Sequence, residues 1–309
     1  MFTILLNIMG KIAILVALGY FLRKKEIINQ QLQDGLTSFM MKVALPANVL
    51  TSANNVFSLE LSRNLLIVVA VAVCYYVAAL VFTRAVGRLL PLSEKRRTLF
   101  SLMAVFANTA FIGFPLAEEL MGSEGLLYAV VFNMVWILFF FTIGVAMISG
   151  QKKFQLKSIF QVPVSVASII AILLYVSPFR FPYFIQDTLS TLGNMVVPLS
   201  MLLIGCSLVQ VRLGQILLDP YSYFISALRL AVFPLIVLGA LWLIPGVPNL
   251  VALTCCLAAC LPSASLCVVF AQQYNCEPAY ASRAVVQGML LMIGTVPLFM
   301  SLAIAAFPV

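Results

Sequence analysis

The stretch LFSLMAVFANTAFIGFPLAEELMG, Leu99–Gly122, would read as one membrane span were it not interrupted by Asn108, Gly113 and Pro115. A second stretch, VALTCCLAACLPSASLCVVFAQQY, Val251–Tyr274, is interrupted by Pro262 between apolar flanks. In lipid, an unpaired backbone N–H or C=O costs several kcal/mol. A membrane helix therefore breaks midway only where the freed groups meet protein or a watery cavity. Two such breaks in corresponding halves of a chain point to a transporter site near the bilayer midplane.

The composition of the chain agrees. Its 309 residues are 63% hydrophobic and 9% charged, with a mean hydropathy of +1.11, whereas soluble domains carry about 25% charged residues. This predicts an all-α integral membrane protein with almost no chain left for a soluble domain. Residues 1–22 read as a first span rather than a cleaved signal, because no basic segment precedes them and no small-residue cleavage site follows. The net charge of +8 might suggest nucleic acid, but the basic residues sit in short loops between apolar segments. There they set topology, so no nucleic-acid partner is expected. Cys255, Cys256 and Cys260 have helical spacing that could touch a metal. With no His in the chain and no acid nearby, they read as small buried hydrophobes, and no metal or cofactor is expected.

Ten apolar segments follow one another: 2–22, 33–53, 62–86, 97–120, 124–149, 157–177, 184–209, 218–243, 248–272 and 279–307. Their loops alternate in charge. One side carries Arg23, Lys24, Lys25, Arg84, Arg88, Lys95, Arg96, Arg97, Lys152, Lys153, Lys157, Arg212 and Arg283; the other carries only Arg63 and Arg180. The positive-inside rule then makes the first side cytoplasmic and puts both termini outside, in a multi-pass protein of the cell (inner) membrane.

The loop GQKKFQLK lies at the midpoint of the chain. It divides the chain into 1–150 and 151–309, each with five spans. Five is odd, so the halves cross the membrane in opposite senses, as an inverted repeat. Pro46 in span 2 and Pro198 in span 7 lie 152 residues apart; Pro115 in span 4 and Pro262 in span 9 lie 147 apart. Similar offsets for two proline pairs support the repeat.

Span 4 is expected to unwind near Asn108–Phe114. Gly113 would relax the backbone, and Pro115 would suit the first turn of the following helix. The Asn108 amide, next to Thr109, either binds a ligand carboxylate or caps the broken helix. Span 9 repeats the device with Pro262, Ser263 and Ser265, whose hydroxyls either meet ligand or bond back to helix carbonyls. Half-helices that begin at the breaks turn positive dipole ends toward mid-membrane and favour a small anion. Lys42, four residues before Pro46, either attracts that anion or pairs with Asp34. Lys11 either faces the same cavity or snorkels outward. Arg229 reads as a snorkelling or packing residue. Asn133 in span 5 and Gln287 in span 10 hold similar places in the two halves; they serve either as interhelical glue or as cavity lining. Glu118 and Glu119 suit a helix start near the outer surface.

At this point the chain resembles a known family, the auxin efflux carriers. GYFLRKKEIINQ and VALPANVL resemble its first two spans. NTAFIGFP carries the family's Asn-x-x-x-x-Gly-x-Pro pattern at Asn108, Gly113 and Pro115. GNMVVPLSMLLIGCSL and LPSASLCVVFAQQYNCEPAYASRAVV resemble its later segments. The resemblance implies a fold like that of bile acid–sodium symporters, in which broken helices 4 and 9 cross. Spans 1, 2, 6 and 7 would form a scaffold, and spans 3–5 and 8–10 a transport domain. It implies a secondary transporter, not an enzyme, moving a small organic anion by alternating access, with Asn108 on the carboxylate and a homodimer through the scaffold. Plant members move auxin, and bacterial relatives are linked to malate and malonate. This chain lacks the long central loop of the plant carriers. Coupling to H+ or Na+ stays open. A sodium-coupled symporter of an amphipathic acid is the alternative, and a non-transporting sensor is a third reading.

Overall fold

A computed structural model of the chain describes residues 2–54, 58–150, 156–177, 179–209 and 220–308. Lys152, Lys153 and Arg212 of the predicted basic loops lie outside the described residues. The described chain is helical, with one isolated antiparallel bridge between Ala107 and Ser263. Five helical stretches are long and apolar enough to cross a bilayer: Leu59–Leu89, Thr109–Ser149, Tyr183–Val209, Pro220–Leu243 and Pro278–Ala306. This is the pattern of an integral membrane protein.

Helix α1 spans Phe2–Lys24. Helix α2 starts at Gln30, where the Asn29 side chain accepts from the Leu32 amide, and runs through a π turn at Met40–Ala44 to Thr51. Ser58 caps α3 (Leu59–Leu89) and Ser93 caps α4 (Glu94–Val105) in the same manner. Helix α5 (Phe114–Phe139) follows a π turn at Thr109–Gly113. Then come α6 (Pro163–Val176), α7 (Tyr183–Gly193) and α8 (Val196–Val209). Helix α9 runs from Pro220 through a π turn at Leu228–Val232 to Leu243. Helices α10 (Asn249–Cys260), α11 (Ser265–Gln273) and α12 (Pro278–Ala306) complete the order.

Three of the four described π turns share a cause; the fourth, at Phe140–Gly144 after α5, precedes no proline. Each of the three ends two residues before a proline: Ala44 before Pro46, Gly113 before Pro115, Val232 before Pro234. A proline lacks its N–H and its ring clashes with the carbonyl four residues back. Widening the preceding turn relieves the clash without breaking the helix. Pro46, Pro115 and Pro234 therefore distort their helices, whereas Pro262 stands in a complete break.

Helix α5 contains the boundary expected between spans 4 and 5. Gly122 alone leaves helical geometry there, at φ 67° and ψ −163°, a conformation open to glycine and strained for other residues.

The packing has two groupings. Helix α1 lies along α8, and the second half of α2 packs on α6 and α7; α3, α4, α5, α9, α10, α11 and α12 pack among themselves. The α1–α8 contact is made close by glycine. A Cβ on Gly19 would lie 2.1 Å from the Leu202 carbonyl oxygen, and one on Gly205 would lie 2.0 Å from that of Val16. Small residues let membrane helices approach backbone to backbone. Gly205→Val is expected to cost about 1–3 kcal/mol or more through overpacking against that backbone. Thermal unfolding of the purified protein in detergent checks it, as a drop in melting temperature.

Candidate functional site: the crossover of the two breaks

The two breaks meet. The Asn108 N–H donates to the Pro262 carbonyl at 2.9 Å, and the Ala264 N–H donates to the Phe106 carbonyl at 2.8 Å. Backbone groups freed by one break are thus satisfied by the other, which is what a membrane interior demands. The unwound residues of the first break are Phe106–Asn108. The expected unwinding over Asn108–Phe114 is corrected: Thr109–Gly113 is already helical, as the π turn before Pro115. The two prolines hold different places: Ala107 faces Ser263 across the bridge, so Pro262 adjoins the crossover while Pro115 lies eight residues beyond it. Helices α4 and α10, which lead into the breaks, are 12 residues each. They begin at Glu94 and Asn249, 155 residues apart in the chain.

Beside the bridge lies a cavity of about 420 Å³. Asn108, Thr109 and Asn133 line it, together with Ala264 and Ser265. The Asn108 side chain makes no capping bond to its own helix. Its Nδ2 donates instead to Ser265 Oγ across the crossover, at 3.3 Å. The Thr109 hydroxyl donates to Asn133 Oδ1 at 2.6 Å, deep in the protein. Around them stand Phe111, Trp136, Phe141, Leu203 and Met289. Of the described residues lining the cavity, none is charged. Buried polar atoms on the wall stand without a hydrogen-bond partner: Trp136 Nε1, Ser165 Oγ and Gln33 Oε1. A buried donor left unmade costs about 1–3 kcal/mol, so such atoms are fit to receive a ligand or water.

The other sequence-predicted residues fall around the cavity without lining it. Gly113 supports the crossover from behind: a Cβ there would meet Leu261 at 2.8 Å. Pro115 is buried at the start of α5. Ser263 bonds a helix carbonyl, but one of the opposite broken helix: its Oγ donates to the Met103 carbonyl at 2.7 Å. Pro262 accepts from Asn108 and packs against α12, where a Cβ on Gly288 would meet it at 3.2 Å. Gln287 is buried beside that contact and neither of its amide atoms has a partner. Pro46 and Pro198 lie within α2 and α8, away from the cavity. Lys42 is exposed, in the π turn of α2, and does not reach the cavity. Its alternative partner Asp34 accepts from Gln30 instead.

Sequence reasoning missed part of the wall. Trp136 stands three residues after Asn133, on the same helix face, and that spacing was a readable signal. Gln33, Thr37 and Met41 repeat at i, i+4 and i+8 along α2 and form another wall.

The larger omission is Arg229, read as a snorkelling or packing side chain with no link to the breaks. It is 1% exposed, the largest fully buried side chain among the described residues. Its Nε donates to the Leu261 carbonyl at 2.8 Å, Nη2 to Ala258 at 2.7 Å, and Nη1 to Val105 at 3.2 Å and to the Tyr75 hydroxyl. Val105 ends α4, and Ala258 and Leu261 close α10.

Among residues that do not line the cavity, two polar contacts join α1 and α2 to α5. Lys11 pairs with Glu119 at 2.5 Å, and Asn48 Nδ2 donates to Glu118 at 2.6 Å. Both acids lie near the start of α5, as the sequence suggested, and each has a partner on another helix.

The chain is similar in sequence to known proteins. The profile of a family described as membrane transport protein matches residues 5–153 and 151–300. An uncharacterized transporter of Methanothermobacter thermautotrophicus is 25% identical over 295 residues, covering 93% of this chain and 95% of the relative. An uncharacterized transporter of Methanocaldococcus jannaschii is 26% identical over 205 residues, covering 64% of this chain and 67% of the relative. With both halves matched, the chain belongs to the membrane transport protein family of auxin efflux carriers, and it is a multi-pass membrane transporter rather than an enzyme.

Proposed function

We propose that this protein is a secondary transporter of a small organic anion, and that the anion is a monocarboxylate with an apolar body. The observation that carries the reading is the cavity at the crossover. Asn108, Thr109 and Ser265 give it polar groups at the crossover, Gln33, Thr37, Ser165 and Ser207 add further ones on the α2, α6 and α8 walls, and most of the remaining lining is aromatic and aliphatic. The π turn at Thr109 and helix α11 both begin at the crossover, with positive dipole ends that favour one negative charge. Among the described residues no Lys or Arg lines the cavity to offset a second one. Burying an unpaired charge in apolar surroundings is costly, which favours a monocarboxylate over a dicarboxylate such as malonate.

In this reading the ten apolar segments form two inverted five-span repeats, and the 155-residue offset between α4 and α10 supports it. Helices α1, α2, α6, α7 and α8 act as scaffold, and the others carry the crossover. The cavity wall uses the first turns of α2, the entry to α6 and the last turns of α8, at the ends adjoining the basic loops. The Lys11–Glu119 and Asn48–Glu118 contacts tie scaffold to carrier at the other end. Both observations fit an alternating-access cycle caught open to the cytoplasm, in the cell membrane.

A thermal-shift panel tests the substrate class. Phenylacetate and hexanoate are expected to raise the melting temperature of the purified protein, since a ligand that binds only the folded state stabilises it, and malonate is expected to have little effect. A shift with malonate and none with the monocarboxylates would contradict the reading.

A further inference from the structure

The crossover has four helix ends, not two. Helices α4 and α10 bring their C-termini to it, at Val105 and Cys260. The π turn at Thr109 and helix α11, starting at Ser265, bring N-termini. The last four carbonyls of a helix lack intrahelical partners and carry the negative end of its dipole. Two negative ends beside the cavity would cancel the two positive ends that favour an anion. Arg229 donates to carbonyls at both of the negative ends, and to no others. Its remaining partner is Tyr75, which gives a hydroxyl as acceptor and a ring 5.8 Å from the guanidinium carbon. Among the described residues no carboxylate is one of its partners. A buried cation without an acidic counter-ion is costly unless local dipoles satisfy it, and here the helix ends are those dipoles.

We infer that Arg229 is a tethered cation that takes up the negative ends of both broken helices and so leaves the positive ends to the transported anion. This rests on the anion-transport reading above. Arg229 is a positioning residue: it lines no part of the cavity and acts through the carbonyls of Val105, Ala258 and Leu261. The π turn at Leu228–Val232, set by Pro234, holds it on α9. A planar guanidinium suits the task because its N–H groups diverge toward several acceptors at once, which an ammonium does less well.

The inference predicts that Arg229 can be replaced by a free cation. Three variants are compared with the wild type in detergent: R229K, R229M and R229A. In the absence of any carboxylate, millimolar guanidinium is expected to raise the melting temperature of R229A. Sodium chloride at equal ionic strength is the control, and the wild type should not respond. With phenylacetate as probe, R229K is expected to keep most of the wild-type affinity. R229M, which keeps volume and loses charge, is expected to bind about tenfold more weakly, the size of a favourable helix-terminus charge effect. An R229M protein with wild-type affinity, or a folded R229A protein indifferent to guanidinium, overturns the inference. If the wild type itself ignores phenylacetate, the substrate reading has failed, and the guanidinium arm still decides the role of Arg229.

Discussion

Ser265→Asp is expected to abolish carboxylate uptake while leaving the protein folded. Ser265 is the first residue of α11, lines the cavity and accepts from Asn108. An aspartate there would sit at a positive helix end, a position worth about 0.3–1 kcal/mol to a carboxylate, and the Asn108 amide could donate to it. Its melting temperature is therefore expected at or above that of the wild type. For an incoming anion the same change is prohibitive. Two carboxylates about 4 Å apart at an effective dielectric of about 20 repel by about 4 kcal/mol, a factor of about a thousand in affinity. Binding by titration calorimetry and melting by differential scanning fluorimetry, read together, separate occlusion of the site from unfolding. A variant that binds phenylacetate normally would place the site elsewhere.

Asn108→Ala is the second large effect. The side chain bonds across the crossover rather than to its own helix, so its removal leaves the backbone bridge of Asn108 N–H to Pro262 in place. The fold should survive with a small loss of melting temperature. A hydrogen bond to a charged group is worth about 1.5–3 kcal/mol, so affinity is expected to fall by about ten- to a hundredfold. Asn108→Asp should do worse than alanine, because it adds a negative charge to a wall with no cation. Isothermal titration of the two variants against the wild type reads that order; equal affinities for all three would remove Asn108 from the ligand's contacts.

The sequence carried much of this arrangement. Asn108 and Pro262 interrupt otherwise apolar runs, and such interruptions are legible because lipid tolerates them only with a partner. That the two breaks cross was implied by the family resemblance rather than by the residues themselves. Proline spacing was a poorer guide. Pro115 and Pro262 look alike in sequence, yet one opens a helix after a π turn and the other stands in the break, because proline suits both places. The register became visible only when Ala107 was seen opposite Ser263. Lys42 and Arg229 show the same limit from another side. Both are basic residues in π turns that precede a proline, and both lie inside apolar segments. One is exposed and the other is the largest fully buried side chain among the described residues. What distinguishes them is the tertiary neighbourhood: Arg229 is met by the ends of α4 and α10, more than 100 and about 30 residues away in the chain, and no local pattern reports that. Trp136 and Ser165 went unnoticed because single polar atoms on an apolar helix are ordinary. Their significance comes from being buried, unpartnered and on one cavity.

The most direct test of the central claim is flux. Purified protein reconstituted in proteoliposomes, loaded with unlabelled phenylacetate, should accumulate labelled phenylacetate by counterflow, and Asn108→Ala should lose that accumulation while still reconstituting as folded protein. Counterflow equal in the wild type and in Asn108→Ala would contradict a carrier that works through the crossover cavity.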